Sequence, residues 1–172
     1  MKVIRCDRSY SDQILAIFNE AIVNSTALYD YQARTPEMME AWFTAKDKGN
    51  YPVIGVVSSE GNLTGFGSYG IFRAWPGYKY TVEHSIYVEA KYRRRGIGKV
   101  LLQEIIASAR AQNYHVLIGG IDSQNAASIR LHQRFGFSHA GSLRQVGFKF
   151  GRWLDLTFYQ LALETPLEPR DG

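Results

Sequence analysis

Residues Arg93 to Lys99, Arg-Arg-Arg-Gly-Ile-Gly-Lys, are of the types that hold a diphosphate. Gly96 and Gly98 let the backbone turn sharply and approach a bulky ligand with no Cβ in the way. An apolar, β-branched run from Thr81 to Val88 enters this stretch, and a helical pattern leaves it. The first amides of a helix have no partner within it, and the helix dipole adds partial positive charge there. Arg93, Arg94, Arg95 and Lys99 add full charges. Two familiar phosphate loops are excluded. A P-loop needs Gly-Lys followed by Ser or Thr, and Val100 follows Lys99. A dinucleotide fingerprint needs a third glycine where Leu101 stands. The competing reading of so short a basic run is a solvated loop that caps a helix.

The elements around this loop follow from local pattern. Lys2 to Cys6 reads as an opening strand, and Ser11-Asp12 as the cap of a helix whose apolar positions Ile14, Leu15, Ile17, Phe18, Ala21 and Ile22 follow helical spacing. Thr26 to Tyr31 reads as a loop. Thr35 caps a second helix with Pro36 at its first position, and Gly49-Asn50 ends it. Tyr51 to Ser58 and Leu63 to Phe72 make a hairpin, in which Gly65, Gly67 and Gly70 suggest a bulge or close backbone approach. Arg73 to Tyr78 is a turn and Tyr80 to Val88 a strand. A helix over Ile97 to Gln112 leads to a wholly apolar strand, His115 to Ile121, suited to the inside of a sheet covered on both faces. Asn125 to Phe135 is helical and closed by Gly136. Strands over Ser138 to Phe150 and Trp153 to Leu163 flank Gly151, and a loose tail is expected from Thr165 to Gly172. This describes one α/β domain with a mixed sheet over residues 1–164.

Bulk properties agree with that reading. The chain has 172 residues, 45% of them hydrophobic and 21% charged, enough for one good core and unlike disorder. A net charge of +4 favours an anionic ligand, while nucleic acid calls for a stronger basic stripe. Cys6 is the only cysteine, so no internal disulfide or thiolate metal cluster can form. The four histidines lack ligand spacing, and no metal is expected. With no secretion signal and no long apolar run, a cytoplasmic protein without membrane partners is expected.

The order strand, Arg-x-x-Gly-x-Gly, helix, strand, then Asn125-x-x-Ser128-x-x-Leu131-His132-x-x-x-Gly136-Phe137 resembles the GNAT superfamily of N-acetyltransferases. Tyr80 to Val88 and Val146 to Asp155 resemble the phosphinothricin and methionine sulfoximine (sulfone) acetyltransferase branch. The resemblance implies a single-domain fold with a mixed, mostly antiparallel sheet of about seven strands, helices on both faces and splayed central strands. It implies acetyl-CoA as co-substrate and the α-amino group of a small amino-acid analogue as acceptor. By the same resemblance, the backbone of Ile86, Tyr87 and Val88 pairs with the pantetheine arm. The segment from Arg93 to Lys99, with Ile97 among its amides, holds the pyrophosphate, and Asn125 and Ser128 touch the cofactor. Val88 N–H would face the thioester oxygen. Arg73, Ala74, Trp75, Glu83, His84 and Ser85 would line the acceptor. Relatives often dimerise, so a homodimer is expected.

Glu83 is the expected base, acting through water, because an ammonium must lose a proton before it can attack. It stands five residues before Val88. That odd separation puts the two side chains on opposite sheet faces, so a bulge or splay is needed to unite them. The alternative for Glu83 is an ion pair with an arginine. Arg73 suits a substrate carboxylate. His132 stands where many members of the superfamily carry a tyrosine thought to protonate the departing thiolate; the histidine could serve as that acid, or the step could need no side chain. Lys149 and Arg152 could reach the site or a subunit contact. Alternative acceptors are a protein N-terminus or a polyamine, and the different-class alternative is a basic nucleic-acid-binding module.

Overall fold

The architecture was obtained as a computed structural model, which describes residues 1–171. Among the described residues seven strands form one sheet: β1 (Lys2–Arg5), β2 (Val53–Val57), β3 (Leu63–Ile71), β4 (Thr81–Val88), β5 (Val116–Asp122), β6 (Ser138–Lys149) and β7 (Arg152–Ala162). Their order is β1-β2-β3-β4-β5-β7-β6. Every neighbouring pair is antiparallel except β4 and β5. A parallel pair cannot be closed by a tight turn, and here a helix makes the crossover.

Four α-helices cover the sheet: α1 (Ser11–Asn24), α2 (Pro36–Lys48), α3 (Ile97–Ala111) and α4 (Ala126–Arg134). The period of two along β4 divides its side chains between two cores. Val82, Ile86 and Val88 pack with Leu101, Leu102 and Ile105 of α3. Tyr87 packs on the other face against Phe18 of α1 and Phe66 of β3, with ring centroids 5.1 and 5.4 Å away. Glu83 and Ser85 therefore share the α1–α2 face, while His84 belongs to the α3–α4 face.

Local signals place most boundaries within a residue or two. Thr35 precedes Pro36 as expected, though its side chain makes no capping bond. Asn125 caps α4, its Oδ1 accepting from Ser128 N at 3.1 Å. The start of α1 differs from expectation: Asp7 caps a 3-10 turn over Arg8–Tyr10, and Tyr10 stands at the helix cap position. In β3 both readings of the glycines apply. The β2–β3 register shifts at Val56/Val57, and a Cβ at Gly65 would stand 2.8 Å from the Tyr87 carbonyl oxygen. The tail is less free than its composition suggests. Thr165 donates to the Tyr114 carbonyl, its own carbonyl meets His115 Nδ1 at 2.9 Å, and Arg170 N donates to Tyr80 Oη at 3.1 Å.

Candidate active site

The parallel pair stays in register only from Thr81↔Val116 to His84↔Gly119. Beyond that point β4 runs on to Val88 beside β3 alone, and β5 runs on beside β7. The sheet thus opens between them. Glu89 N donates to Thr64 O, and Tyr80 O accepts from His115 N and Val116 N. These bonds fix the parity of β4: odd-numbered residues bond to β3, and even-numbered residues face β5. Ile86 and Val88 consequently present their N–H and C=O groups to the opening. Arg93 Nε occupies the Val88 carbonyl at 3.1 Å, which leaves Val88 N–H as a donor. Tyr87, expected to join them, does not. Its backbone is turned toward β3, and its ring is buried in the α1–α2 core.

The glycine loop lies immediately beyond. Gly96 caps α3 at φ 83°, a left-handed conformation that glycine adopts without strain. The first bond of α3 is Val100 N to Gly96 O, so the amides of Ile97, Gly98 and Lys99 have no intrahelical partner. Arg94, also at positive φ (63°), Arg95 and Lys99 form no ion pair among the described residues. Arg93 differs: its guanidinium is bound to Glu20 at 2.6 Å as well as to Val88. It buttresses the end of β4 rather than standing free for a phosphate. A Cβ at Gly98 would meet Leu131 at only ordinary contact distance, 3.4 Å. Packing within the protein does not demand that glycine. Free amides, a helix start and uncompensated cations fit a diphosphate, and Asn125 and Ser128 begin α4 as expected.

Glu83 is half-buried on the α1–α2 face, with its carboxylate over Gly120, where a Cβ would stand 3.0 Å from Oε1. It accepts no hydrogen bond and forms no ion pair among the described residues, so the paired-carboxylate alternative does not hold. Burial pushes its pKa above the usual glutamate range, and the nearby Arg73 charge pulls it partly back. Ser85 is exposed on the same face. No bulge interrupts β4, whose register with β3 is unbroken from Gly65↔Val88 to Ile71↔Val82. The splay serves instead. Since Val88 contributes its in-plane N–H, the opposed side-chain faces are no obstacle.

His84 departs from its expected place beside Ser85. It points the other way and is buried against α4, its Nε2 2.9 Å from His132 Nε2. His132 Nδ1 lies 2.8 Å from the Ser128 carbonyl, which can only accept, so the proton is on Nδ1. His132 Nε2 then accepts from His84 Nε2–H, and His84 Nδ1 is left buried without a partner, the Ile118 backbone facing it without closing a hydrogen bond. Burial holds both rings neutral, His84 down to about 3. His132 therefore has no spare proton for a thiolate, which favours the alternative in which that step needs no side chain.

Two positions that give the candidate site its room escaped the sequence reading, Gly119 and Gly120. A Cβ at Gly119 would stand 3.1 Å from both His132 Nε2 and His84 Cε1, and Gly120 makes room for Glu83. A Gly-Gly pair inside an apolar strand was the available signal. Lys149 is neither a site residue nor a surface contact. Its buried ammonium donates to the carbonyls of Ile22, Ser25 and Leu28 at 2.6, 2.8 and 2.6 Å, fastening the end of α1 and its following loop. That loop lays Tyr29 against Gly147 and bonds Tyr31 Oη to Phe148 O at 2.7 Å. Arg152 reaches Asp122 at 3.8 Å. Arg73, Ala74 and Trp75 line a cavity of about 240 Å³ with Tyr51, Val82 and Tyr114, and Trp75 is 74% exposed.

A mixed sheet parted at the parallel β4–β5 pair, with the free amides of a helix start beside the gap, is the frame on which the comparisons place this chain among the acetyltransferases. The chain belongs to the acetyltransferase (GNAT) family, whose profile matches residues 14–137. It is 47% identical over 151 residues to an L-methionine sulfoximine/L-methionine sulfone acetyltransferase of Pseudomonas paraeruginosa, covering 88% of each chain. It is 33% identical over 149 residues to a phosphinothricin N-acetyltransferase of Streptomyces coelicolor, covering 86% of this chain and 87% of that one. A GNAT superfamily phosphinothricin acetyltransferase from Sinorhizobium meliloti, solved in complex with acetyl-CoA, superposes with a TM-score of 0.94 at 30% identity. The match covers 99% of this chain and 94% of that one.

Proposed function

We propose that this acetyltransferase moves the acetyl group of acetyl-CoA to the α-amino group of a small amino acid or analogue, of the methionine sulfoximine, methionine sulfone or phosphinothricin type. The observation that carries this reading is the unpaired Glu83 carboxylate beside an opening lined by the free N–H of Val88. When bound, acetyl-CoA supplies the electrophilic thioester carbonyl. The amides of Ile97, Gly98 and Lys99, with Arg94 and Arg95, hold its diphosphate, and Ile86 pairs with the pantetheine arm as an added strand would. Glu83 takes the ammonium proton through water. Val88 N–H stabilises the oxygen that gains charge as the amine attacks. Arg73, in the turn before β4, binds the acceptor's carboxylate. The sulfur would leave as thiolate, a tolerable anion for a thiol of pKa about 8.5, without help from His132, and the second proton, which the nitrogen must lose as the C–S bond breaks, would pass through the same water to solvent or to that thiolate.

The experiment is a thiol-release assay over amino acids and analogues, with a polyamine and an N-terminal peptide as competitors. Turnover confined to acceptors with a free α-amino and α-carboxylate group is expected; turnover of polyamine or peptide alone overturns the acceptor assignment. Among the described residues no group of three or more His, Cys, Asp and Glu is placed to hold a metal, and no helix is long and apolar enough to cross a membrane. A cytoplasmic homodimer completes the proposal, its interface the exposed apolar side chains Leu143, Val146, Phe148, Phe150 and Trp153 of the β6–β7 hairpin.

A further inference from the structure

Strand β2 begins one residue after Pro52, and this has a consequence at the far end of β3. Cys6 N donates to Val53 O, so odd-numbered residues of β2 face β1 and even-numbered ones face β3. The register Val53↔Ser68 sets residue 52 opposite Tyr69. A strand residue there would donate its N–H to the Tyr69 carbonyl, but proline has none. The ammonium of Lys46, reaching in from α2, takes the place at 2.8 Å. Beside it Arg5, Asp47, Asn50, Tyr51 and Gln112 complete the lining of a cavity of about 370 Å³.

The charge in this cavity is unbalanced. The one hydrogen bond of Lys46 goes to the neutral Tyr69 carbonyl, with the Trp42 and Tyr51 ring centroids 5.4 and 5.8 Å away, and that of Arg5 to the Ser108 hydroxyl at 3.3 Å. Among the described residues neither has a carboxylate within ion-pair distance. Asp47 is at the rim, where Arg8 holds its carboxylate at 2.7 Å and also pairs with Glu40 at 3.1 Å, so that among these five side chains the three cations outnumber the two carboxylates. Gln112 is held at both ends of its amide, Oε1 accepting from Tyr69 Oη and Nε2 donating to the Asn50 carbonyl at 2.8 Å. Burial pushes Lys46 down to about 8, the cost of an ammonium out of water with no counter-charge. The charged or titratable groups around it are Arg5 of β1, Tyr69 of β3, Tyr51 of the α2–β2 turn and Asp47 of α2 itself.

We propose that this cavity binds a small oxyanion, a carboxylate or a phosphate-like group held between the Arg5 guanidinium and the Lys46 ammonium. It lies at the Tyr69 end of β3, whereas the glycine loop lies at the Gly65 end, so the two anion sites share no residue. An anion there supplies the counter-charge that both cations lack, and it raises the proton affinity of Lys46.

Calorimetry tests this on the protein saturated with CoA, so that the diphosphate cradle is already filled. Sulfate (a tetrahedral probe that does not titrate) and acetate are added separately at ionic strength held constant with chloride. Saturable binding is expected, weakened tenfold or more by Arg5→Gln and by Lys46→Met, with CoA affinity unchanged in both. At pH 8 binding should take up a fraction of a proton, read from the difference between buffers of unlike ionisation heat, and Lys46→Met should abolish that uptake. Sulfate alone binding assigns a phosphate-bearing ligand; acetate binding as well assigns a carboxylate. Arg5→Gln keeps the Lys46–Tyr69 bond, so its result stands even if Lys46→Met fails to fold. Absence of saturable binding of either probe, or equal affinity in Arg5→Gln, overturns the proposal.

Discussion

A carboxylate half removed from water, with no hydrogen bond and an arginine near but not touching, holds its proton to higher pH than an ordinary glutamate. For Glu83 as base, kcat/KM should rise from the acid side with an apparent pKa above about 4.3, the free glutamate value. Arg73→Gln should move that limb to still higher pH, because the Arg73 charge opposes the shift. Glu83→Gln should lower kcat by roughly 10²–10⁴ while leaving acetyl-CoA affinity unchanged. Stability gives an independent reading. A carboxyl whose folded pKa is raised stabilises the fold below its unfolded pKa and loses that contribution as pH rises through the folded value. The Glu83→Gln variant should therefore melt higher than the parent at pH 7.5, with the gap closing toward pH 4. The two histidines work in the opposite sense. Their folded pKa values are depressed, so their contribution is present above about 6.5 and lost as pH falls toward the His84 value of about 3. Urea midpoints should drop from pH 7.5 to pH 5, and less so in His84→Gln, which retains a donor for His132. Residue type and position make Glu83 a candidate base. They were not enough for His132, because a histidine's role depends on which atoms its two nitrogens meet, and its partners Ser128 and His84 come from a helix turn and a distant strand.

At the level of elements, the two glycines of the loop should fail in different ways. Gly96 sits at φ 83° with nothing within 4 Å of a would-be Cβ, so Gly96→Ala should cost stability, about 1 kcal/mol by denaturant melts, through backbone strain. Gly98 has ordinary room, so Gly98→Ala should fold and melt like the parent but bind acetyl-CoA at least tenfold more weakly by calorimetry. A normal affinity in that variant would remove Gly98 from the cradle. The loop was legible because its signal is local: a strand, a glycine turn and a helix start within twenty residues. The latch made by Lys149 was not, since it joins residues more than a hundred positions apart. Lys149→Met leaves three carbonyls at the end of α1 without their donor. It should raise the KM of the acceptor several-fold and leave that of acetyl-CoA unchanged.

For the whole molecule, strand and helix identities follow from periodicity and turn residues, and the mixed sheet follows from their order. The sheet's interior order and the point where β4 leaves β5 depend on register, which a single chain of letters does not state. Dimerisation is the property least tied to pattern, because the apolar residues of the β6–β7 hairpin read equally well as core. Trp153 is 60% exposed in the folded chain. Sedimentation at micromolar concentration should show a dimer, and Trp153→Glu should shift it toward monomer without lowering the melting temperature.

The donor that Val88 offers to the opening belongs to the main chain and is aimed by strand parity, not by the identity of its side chain. An alanine scan would walk past it, and homologues could carry any β-compatible residue there without loss. Only removal of the hydrogen itself, by Val88→Pro or by an ester in place of that amide, would expose its share of the rate. On the proposed mechanism, the atom that matters most in the gap is thus one that the genetic code barely addresses.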